Sequence, residues 1–227
     1  MLPLWDSQPH RRPAVVTAFL LAVILAAFVY EVGLSLSGQS ELDAFIREFA
    51  VVPSRLIAGW GDERQWLTLV TALFLHGGVL HLLGNGWFLW VFGRSVESAI
   101  GPWRFGLIYF CAGLAGTAAQ IAADHGSTVP MLGASGAISG IMGAYFALFP
   151  RAWIIALVPW VVPVLPIPAL VFLFLWFLLQ TTNGLGDLFA AGSASAGVAW
   201  WAHAGGFVAG IALARRRSGG TRRKRTR

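Results

Sequence analysis

The sequence predicts an all-α polytopic membrane protein, a bundle of six transmembrane helices. Of its 227 residues, 57% are hydrophobic and only 11% are charged, whereas an average soluble domain has about 25% charged residues. Apolar stretches recur at the length of roughly 17 to 25 residues that a helix needs to cross a bilayer. Lys and Arg concentrate between and after these stretches, which is typical of cytoplasmic loops and tails.

Six stretches have the required length and composition. They are residues 14–34, 66–92, 103–123, 132–149, 167–182 and 196–214. We therefore expect a six-span core over residues 14–215, a short N-terminal tail over 1–13 and a basic C-terminal tail over 216–227. The first stretch follows two arginines as a signal peptide would, but it is longer than usual and lacks a clear cleavage pattern. We expect it to be retained as the first span.

Residues 152–166 are also apolar, but Pro159, Pro163 and Pro166 interrupt them. Each proline removes a backbone donor and kinks a helix. We interpret this segment as an interfacial connection before the fifth span, and its inclusion in that span is the alternative.

The basic residues predict the orientation. With six spans and both termini in the cytoplasm, only Arg47, Arg55 and Arg64 among the basic residues lie on the outer side. The tail could bind nucleic acid, but a solvated anchor attracted to anionic lipid is favoured, and we expect no nucleic-acid partner. Cys111 is the single cysteine, so no intrachain disulfide is expected. The absence of a fixed-period repeat gives an inverted-repeat transporter no support.

Four polar residues stand out inside the predicted spans: His81, Asn85, Ser135 and His203. We count about 1.5 Å per helical residue outward from the nearest cytoplasmic arginine. Ser135 then lies roughly 24 Å above Arg151, His203 roughly 18 Å above Arg215, and His81 roughly 20 Å above Arg94. All three depths fall in the outer half of a hydrocarbon core about 30 Å thick. Polar side chains in such spans tend to face the bundle interior or a watery cavity.

The spacing of these residues indicates how they meet. His81 and Asn85 are four residues apart and share a helix face. Ser135 begins its helix, where free N–H groups and the helix dipole stabilise negative charge. Small residues follow it and also follow His203, so the two helices can approach closely and bring His203 to Ser135. These small residues are Gly136, Ser139, Gly140 and Gly143 after the serine, and Gly206 and Gly210 after the histidine.

Each signal also has a structural explanation when it is taken alone. A serine in a glycine-rich membrane helix commonly serves packing or a hydrogen bond between helices. His203 could be a satisfied structural residue. His81 and Asn85 could clamp two helices together or belong to a proton path.

Three motifs occur in order on the second, fourth and sixth predicted spans: H-x4-H-x3-N at residues 76–85, G-A-S-G at 133–136 and A-H-A-G-G-F-V-A-G at 202–210. In this combination the chain resembles the rhomboid intramembrane serine proteases, over about residues 14–215. The segments L-H-G-G-V-L-H-L-L-G-N-G-W (75–87) and I-P-A-L-V-F-L-F-L-W-F-L-L-Q (167–180) are also similar to bacterial members.

The resemblance implies a role for each matching residue. Ser135 would be the nucleophile, and His203 the general base that takes its proton and later protonates the leaving amine. His81, Asn85 and the backbone N–H of Ser135 would form the oxyanion hole. Gly133 would form the tight turn that presents the serine. Gly206 and Gly210 would let the sixth helix pack against the fourth, next to Gly136 and Ser139.

The chain departs from the family pattern in two places. Many relatives have a Trp-Arg pair before the second span, where this chain has Leu67 and Thr68, so the first loop is expected to be braced differently. Relatives also commonly have an aromatic residue one turn after the nucleophile, where this chain has Ser139. What holds His203 is therefore open, and a hydrogen bond from Ser139 is one possibility.

A Ser-His dyad is favoured over a triad, because the candidate acids Asp124 and Asp187 fall in predicted outer loops. We expect a site open to the outer side, with residues 183–196 as a mobile cap and the fifth span shifting to admit substrate from the lipid.

The resemblance thus implies a serine endopeptidase in the bacterial inner membrane that cuts single-span membrane proteins near the outer ends of their spans, in helices that unwind easily. We expect no cofactor and no metal, since the sequence has no H-E-x-x-H motif. Two alternatives are a non-catalytic rhomboid-like protein that binds membrane helices, and a proton-coupled transporter that uses His81 and His203. The sequence leaves the oligomeric state undetermined.

Overall fold

A computed structural model describes residues 1–158, 162–189 and 198–215. The described residues are mostly helical. The helices are α1 (Val15–Ser37), α2 (Gln39–Phe49), α3 (Pro53–Ala58), α4 (Glu63–Thr71), α5 (Val79–Phe88), α6 (Arg94–Ile100), α7 (Pro102–Ala123), α8 (Ser135–Leu148), α9 (Ala169–Phe189) and α10 (Trp200–Arg215). The strands are β1 (Leu2–Asp6), β2 (Trp153–Val158) and β3 (Val162–Pro168). The predicted basic tail, residues 216–227, lies outside the described residues.

Helix α8 forms the centre of the bundle, and every residue from Gly136 to Tyr145 is buried. Its neighbours α7 and α10 contact it almost backbone to backbone. A Cβ added to Gly140 would lie 2.1 Å from the Ala112 Cβ of α7, and one added to Gly210 would lie 1.8 Å from the Gly140 carbonyl oxygen. Glycine at these positions therefore permits the close approach that sets the distance between the first turns of α8 and α10.

Among the described residues, three helical segments are long and apolar enough to cross a membrane: Val15–Ser37, Pro102–Ala123 and Ala169–Asp187. A fourth is added if the bent pair of Glu63–Phe74 and Val79–Ile100 counts as one span. Helices α8 and α10, with 14 and 16 residues, are shorter than a usual span. By length and composition, the described residues thus give three to four candidate spans, fewer than the six expected.

The span predicted over residues 66–92 is not one continuous helix, because the chain bends by 79° between two helical segments there. A 3₁₀ turn at Ala72–Phe74 ends the first segment, and α5 starts only at Val79. The break contains Gly77 and Gly78, and glycine costs about 1 kcal/mol in a helix interior relative to alanine. Gly78 has a φ of +150°. His76 consequently lies in the break and not on the helix that carries His81.

The described part of residues 152–166 is not helical, so the alternative that this segment belongs to the fifth span was wrong. The segment connects α8 to α9, and its interfacial location stays a prediction. Most of the segment lies in β2 and β3, which pair antiparallel with Ala156 opposite Leu165. Strand β1 joins β2 on its other side, with Asp6 opposite Ile154. Strand β3 is an edge strand, where proline is tolerated because an N–H is not needed on the open side. The helical bundle therefore carries a small sheet that the all-α prediction did not include.

The N-terminal segment is fixed to the end of the bundle that carries α6. The Glu97 carboxylate accepts hydrogen bonds of 2.8 Å from the backbone N–H groups of Val16 and Thr17 and one of 2.7 Å from the Thr17 hydroxyl. These are N–H groups of the first turn of α1, which have no acceptor within their own helix. Asp6 accepts hydrogen bonds from Ser95 and the Tyr145 hydroxyl. Helix α1 is thereby held against the bundle.

Candidate active site

Ser135 is the first residue of α8, and a glycine turn presents it. Gly133 has a φ of +123°, a left-handed region in which a side chain is strained. Its N–H donates to the carbonyl of Ala72 at 2.8 Å. A Cβ at this position would also lie 2.8 Å from the His81 ring. Glycine is therefore required at position 133 both by its backbone conformation and by the neighbouring imidazole.

His203 lies in the first turn of α10, and its Nε2 atom is 2.8 Å from the Oγ atom of Ser135. The start of α10 is fixed by the Gln120 side chain, which accepts from the backbone N–H groups of Trp201 at 3.0 Å and Ala202 at 3.3 Å. Close packing of Gly136 against Ala202 brings the two helix starts together. The serine and the histidine predicted to act together are thus in hydrogen-bonding contact.

The other ring nitrogen of His203 has a partner that the sequence did not predict. His203 Nδ1 is 2.8 Å from the Oε1 atom of Gln180 on α9. Gln180 is 5% exposed. The ring centroids of Trp176 and Trp200 are each 6.2 Å from that of His203. The signal in the sequence was a single amide within a run of aromatic and aliphatic residues, where polar groups tend to have a partner.

The hydrogen bond from Ser139 to His203, considered as a possibility from the sequence, is not formed in the structure. The Ser139 hydroxyl donates to the carbonyl of Ser135, four residues earlier, at 2.6 Å. This is a bond within α8, and it uses the only hydroxyl hydrogen that Ser139 has.

His81 and Asn85 lie on α5 and face the turn before Ser135. The His81 Nε2 atom would lie 2.9 Å from a Cβ on Gly133, and the Asn85 amide nitrogen would lie 3.7 Å from it. The backbone N–H of Gly77 points at His81 Nδ1 at 3.4 Å, which favours the tautomer with the hydrogen on Nε2. Both residues therefore present a donor next to Ser135.

Behind Asn85, a hydrogen-bond chain runs to α1. The Asn85 amide donates to His76 Nε2 at 2.9 Å, and His76 Nδ1 is 3.2 Å from the carbonyl of Phe74. The backbone N–H of His76 donates to the two carboxylate oxygens of Glu31 at 3.1 and 3.2 Å. Glu31 is 3% exposed and was not singled out from the sequence, where an acid inside the first predicted span was the available signal.

His81, Asn85, Ser135 and His203 line one cavity of about 720 Å³. Its polar lining comprises His81, Asn85, Ser135, Ser139, Gln180 and His203. The rest of the wall consists of glycines, apolar side chains and the indoles of Trp176 and Trp200. Within the part of the chain that the structure describes, no group of three or more His, Cys, Asp or Glu residues could hold a metal ion. A hydroxyl beside an imidazole, with donors opposite, is an arrangement suited to nucleophilic attack on a carbonyl.

The chain has no Trp-Arg pair at positions 67 and 68, and other contacts brace the loop before α4. Arg55 donates to the Gln65 side chain at 2.8 Å and to the carbonyl of Ala50 at 2.9 Å. The Trp66 indole donates to the carbonyl of Trp60 at 3.0 Å, and the two rings pack edge to face at 4.4 Å. A different arginine and a shifted tryptophan therefore hold this region.

Comparison with known proteins shows the family. The family model described as Rhomboid domain matches residues 63–218. The chain is similar to Rhomboid protease GluP of Bacillus subtilis (strain 168), with 36% identity over 142 residues, 62% of this chain and 26% of that protein. It is also similar to Rhomboid-type serine protease 2 of Emericella nidulans, with 27% identity over 170 residues, 73% of this chain and 30% of that protein.

The fold and the family together define an integral membrane protein of the rhomboid type. The chain belongs to the rhomboid family. A further relative, RHOMBOID-like protein 5 of Arabidopsis thaliana, is 31% identical over 110 residues, 48% of this chain and 34% of that protein. These matches span only about a quarter to a third of the relatives' own lengths. The family resemblance inferred from the three sequence motifs is confirmed.

Proposed function

We propose that this protein is an intramembrane serine endopeptidase with a Ser135–His203 dyad. The observation that carries the proposal is the 2.8 Å contact between His203 Nε2 and Ser135 Oγ, in a cavity that His81 and Asn85 also line. A serine hydroxyl is a weak nucleophile until an adjacent base accepts its proton. The names of two relatives, which call them a rhomboid protease and a serine protease, support the same chemistry.

The proposed reaction proceeds in two halves. Ser135 Oγ attacks the scissile carbonyl carbon while His203 Nε2 takes the hydroxyl proton. The tetrahedral oxyanion accepts hydrogen bonds from His81, Asn85 and the Ser135 N–H. His203 then gives its proton to the leaving amine, and an acyl-enzyme remains. Water next loses a proton to His203 and attacks the ester, and the returning proton restores the Ser135 hydroxyl as the acid product leaves.

The proposed substrates are single-span membrane proteins that enter from the lipid. Attack requires an extended scissile segment, so spans that unwind through Gly, Pro or small polar residues are favoured. Helix α9 borders the cavity through Trp176 and Gln180, and its outer face is apolar and exposed at Phe174 and Leu178. A shift of α9 is the proposed entry. Half of the proposed cap at residues 183–196, from residue 190 onward, lies outside the described residues.

The proposed topology retains six spans over residues 14–215 with both termini in the cytoplasm, in a bacterial inner membrane. The bent pair before Ile100 counts as one span in this topology. Helices α8 and α10 are short, but they pack between longer helices rather than against lipid alone, and a buried helix needs less length than a lipid-facing one.

Cleavage of a fluorescent single-span substrate by purified protein in detergent tests the proposal. The wild type is compared with Ser135→Ala, His203→Ala and the control Ser37→Ala, a serine at the exposed end of α1. We expect cleavage by the wild type and the control only, together with fluorophosphonate labelling of Ser135.

Activity in a folded Ser135→Ala or His203→Ala variant would show that nucleophile or base is misassigned. No cleavage of several substrates and no labelling in the wild type would instead indicate a protein that binds membrane helices without cutting them.

A further inference from the structure

Gln180 occupies the place beside His203 that an acid takes in a catalytic triad. Its Oε1 atom is 2.8 Å from Nδ1, and the Ser135 hydroxyl is 2.8 Å from Nε2 on the opposite side of the ring. Both ring nitrogens therefore have a partner. Asp124 and Asp187, the two acids considered for a triad, lie at or near the ends of α7 and α9.

We propose that Gln180 is a positioning residue that fixes the tautomer and the ring orientation of His203. The inference rests on the proposed dyad for its consequence in catalysis, but the hydrogen bond itself can be tested without substrate. An amide oxygen only accepts, so the hydrogen of the neutral ring must lie on Nδ1. Nε2 then keeps the lone pair that faces the Ser135 hydroxyl.

The same bond serves the second state of the ring. When Nε2 has taken the serine proton, Nδ1–H still donates to Gln180, and the amide dipole stabilises the positive ring. A carboxylate would stabilise that charge more strongly. In a buried position next to lipid, however, a carboxylate carries a large desolvation cost. A glutamine supplies the orientation without a permanent charge.

The packing of α9 against α10 holds Gln180 in place. Trp176, Gln180 and Gly184 follow one another at intervals of four and form one face of α9. The Trp176 ring lies 5.8 Å from that of Phe207 on α10, and a Cβ on Gly184 would lie 3.1 Å from the Trp201 indole. Contacts one turn before and one turn after Gln180 thus fix its distance to His203.

The test compares Gln180→Leu, which nearly keeps the volume but removes the acceptor, with Gln180→Glu, which keeps an acceptor at the same reach. Thr182→Val is the control, since Thr182 is exposed and its hydroxyl contacts the Leu178 and Leu179 carbonyls within α9. Purified full-length proteins in detergent are assayed for kcat and KM on a single-span substrate, for the rate of fluorophosphonate labelling of Ser135, and by ¹⁵N NMR of labelled histidine. A thermal unfolding scan identifies variants that do not fold.

We expect Gln180→Leu to lower kcat by about tenfold to a hundredfold, the size of one or two lost hydrogen-bond energies, with KM within about twofold. Labelling of Ser135 should fall by a similar factor. In the NMR spectrum, we expect Nδ1 of His203 to have the signature of a fully protonated nitrogen in the wild type and to lose it in Gln180→Leu. Gln180→Glu should recover most of the lost labelling, and Thr182→Val should match the wild type in every readout.

Three results would overturn the inference. The first is a wild-type Nδ1 signal in Gln180→Leu. The second is a rise in the KM of Gln180→Leu with kcat unchanged, which would make Gln180 a substrate contact. The third is an equal loss of activity in Thr182→Val. The NMR readout separates this inference from the proposed function. A wild type that neither cuts nor labels but shows the protonated Nδ1, lost in Gln180→Leu, would overturn the protease and retain the positioning bond.

Discussion

At the scale of single residues, Asn85 has hydrogen-bonding capacity left for a ligand. One of its two amide hydrogens points to His76 Nε2 at 2.9 Å, and a primary amide carries two. His76 is itself held through its backbone by Glu31. Asn85 is therefore oriented by a chain of buried groups while its second N–H is available to the cavity, as a preorganised oxyanion donor requires.

Replacing Asn85 by leucine should lower kcat by about 10²- to 10³-fold, because the loss of one oxyanion donor commonly costs about 2.7 to 4 kcal/mol in the transition state. KM should change little, since the bond forms mainly in the transition state. The measurement is steady-state cleavage of a single-span substrate, with Ser37→Ala as the control. A tenfold or larger rise in KM at unchanged kcat would contradict the assignment and make Asn85 a ground-state substrate contact.

At the scale of secondary-structure elements, the positions of α8 and α10 depend on glycine. A Cβ on Gly206 would lie 2.1 Å from the Gly136 carbonyl oxygen, and one on Gly143 would lie 2.0 Å from that of Phe207. These neighbours are backbone atoms, which cannot rotate away as a side chain can. The catalytic contact proposed between the two helices thus depends on an approach of backbones that any larger residue would prevent.

Gly210→Ala should destabilise the protein by at least about 1 to 3 kcal/mol, the usual cost of overpacking, because its Cβ would lie 1.8 Å from the Gly140 carbonyl oxygen. Gly33→Ala is the matched control: Gly33 also lies in an apolar helix, and nothing is within 4 Å of the added Cβ. The midpoint of thermal or chaotrope unfolding in detergent measures the difference. Equal midpoints for the two variants would show that the helices are not packed this closely.

Local signals in the sequence predicted some elements well and others not at all. The span expected at residues 103–123 is α7 at Pro102–Ala123, because a long apolar run with a proline at its start defines a helix locally. The pairing of β1 with β2 joins residues about 150 positions apart, which no local pattern reveals. The same holds for Gln180, whose partner His203 lies 23 residues away on another helix. The glycine-rich faces and the Ser–His meeting were inferable because small residues at helical spacing indicate close packing.

At the scale of the whole molecule, helix length and the distribution of basic residues favour different numbers of spans. Length and composition select three or four candidates among the described residues, since α8 and α10 are short. Most basic residues nevertheless fall on the side that six spans make cytoplasmic, with Arg47, Arg55 and Arg64 on the outer side. A short helix in the middle of a bundle meets protein on most sides, so the bilayer thickness constrains it less than it constrains α1 or α9.

The six-span proposal predicts where single cysteines react with a membrane-impermeant maleimide in intact cells, after Cys111 is replaced by alanine. A cysteine at Gly61, in the loop between α3 and α4 where an added side chain meets nothing within 4 Å, should label from outside. Cysteines at Ser7 and Ser218 should label only after the cells are permeabilised, since both termini are expected in the cytoplasm. An odd number of spans would be indicated if only one of the two terminal cysteines, at position 7 or at position 218, were labelled in intact cells. If position 61 were protected and both termini labelled, the proposed active site would face the cytoplasm, and substrates would have to be sought among membrane proteins with cleavable segments on that side.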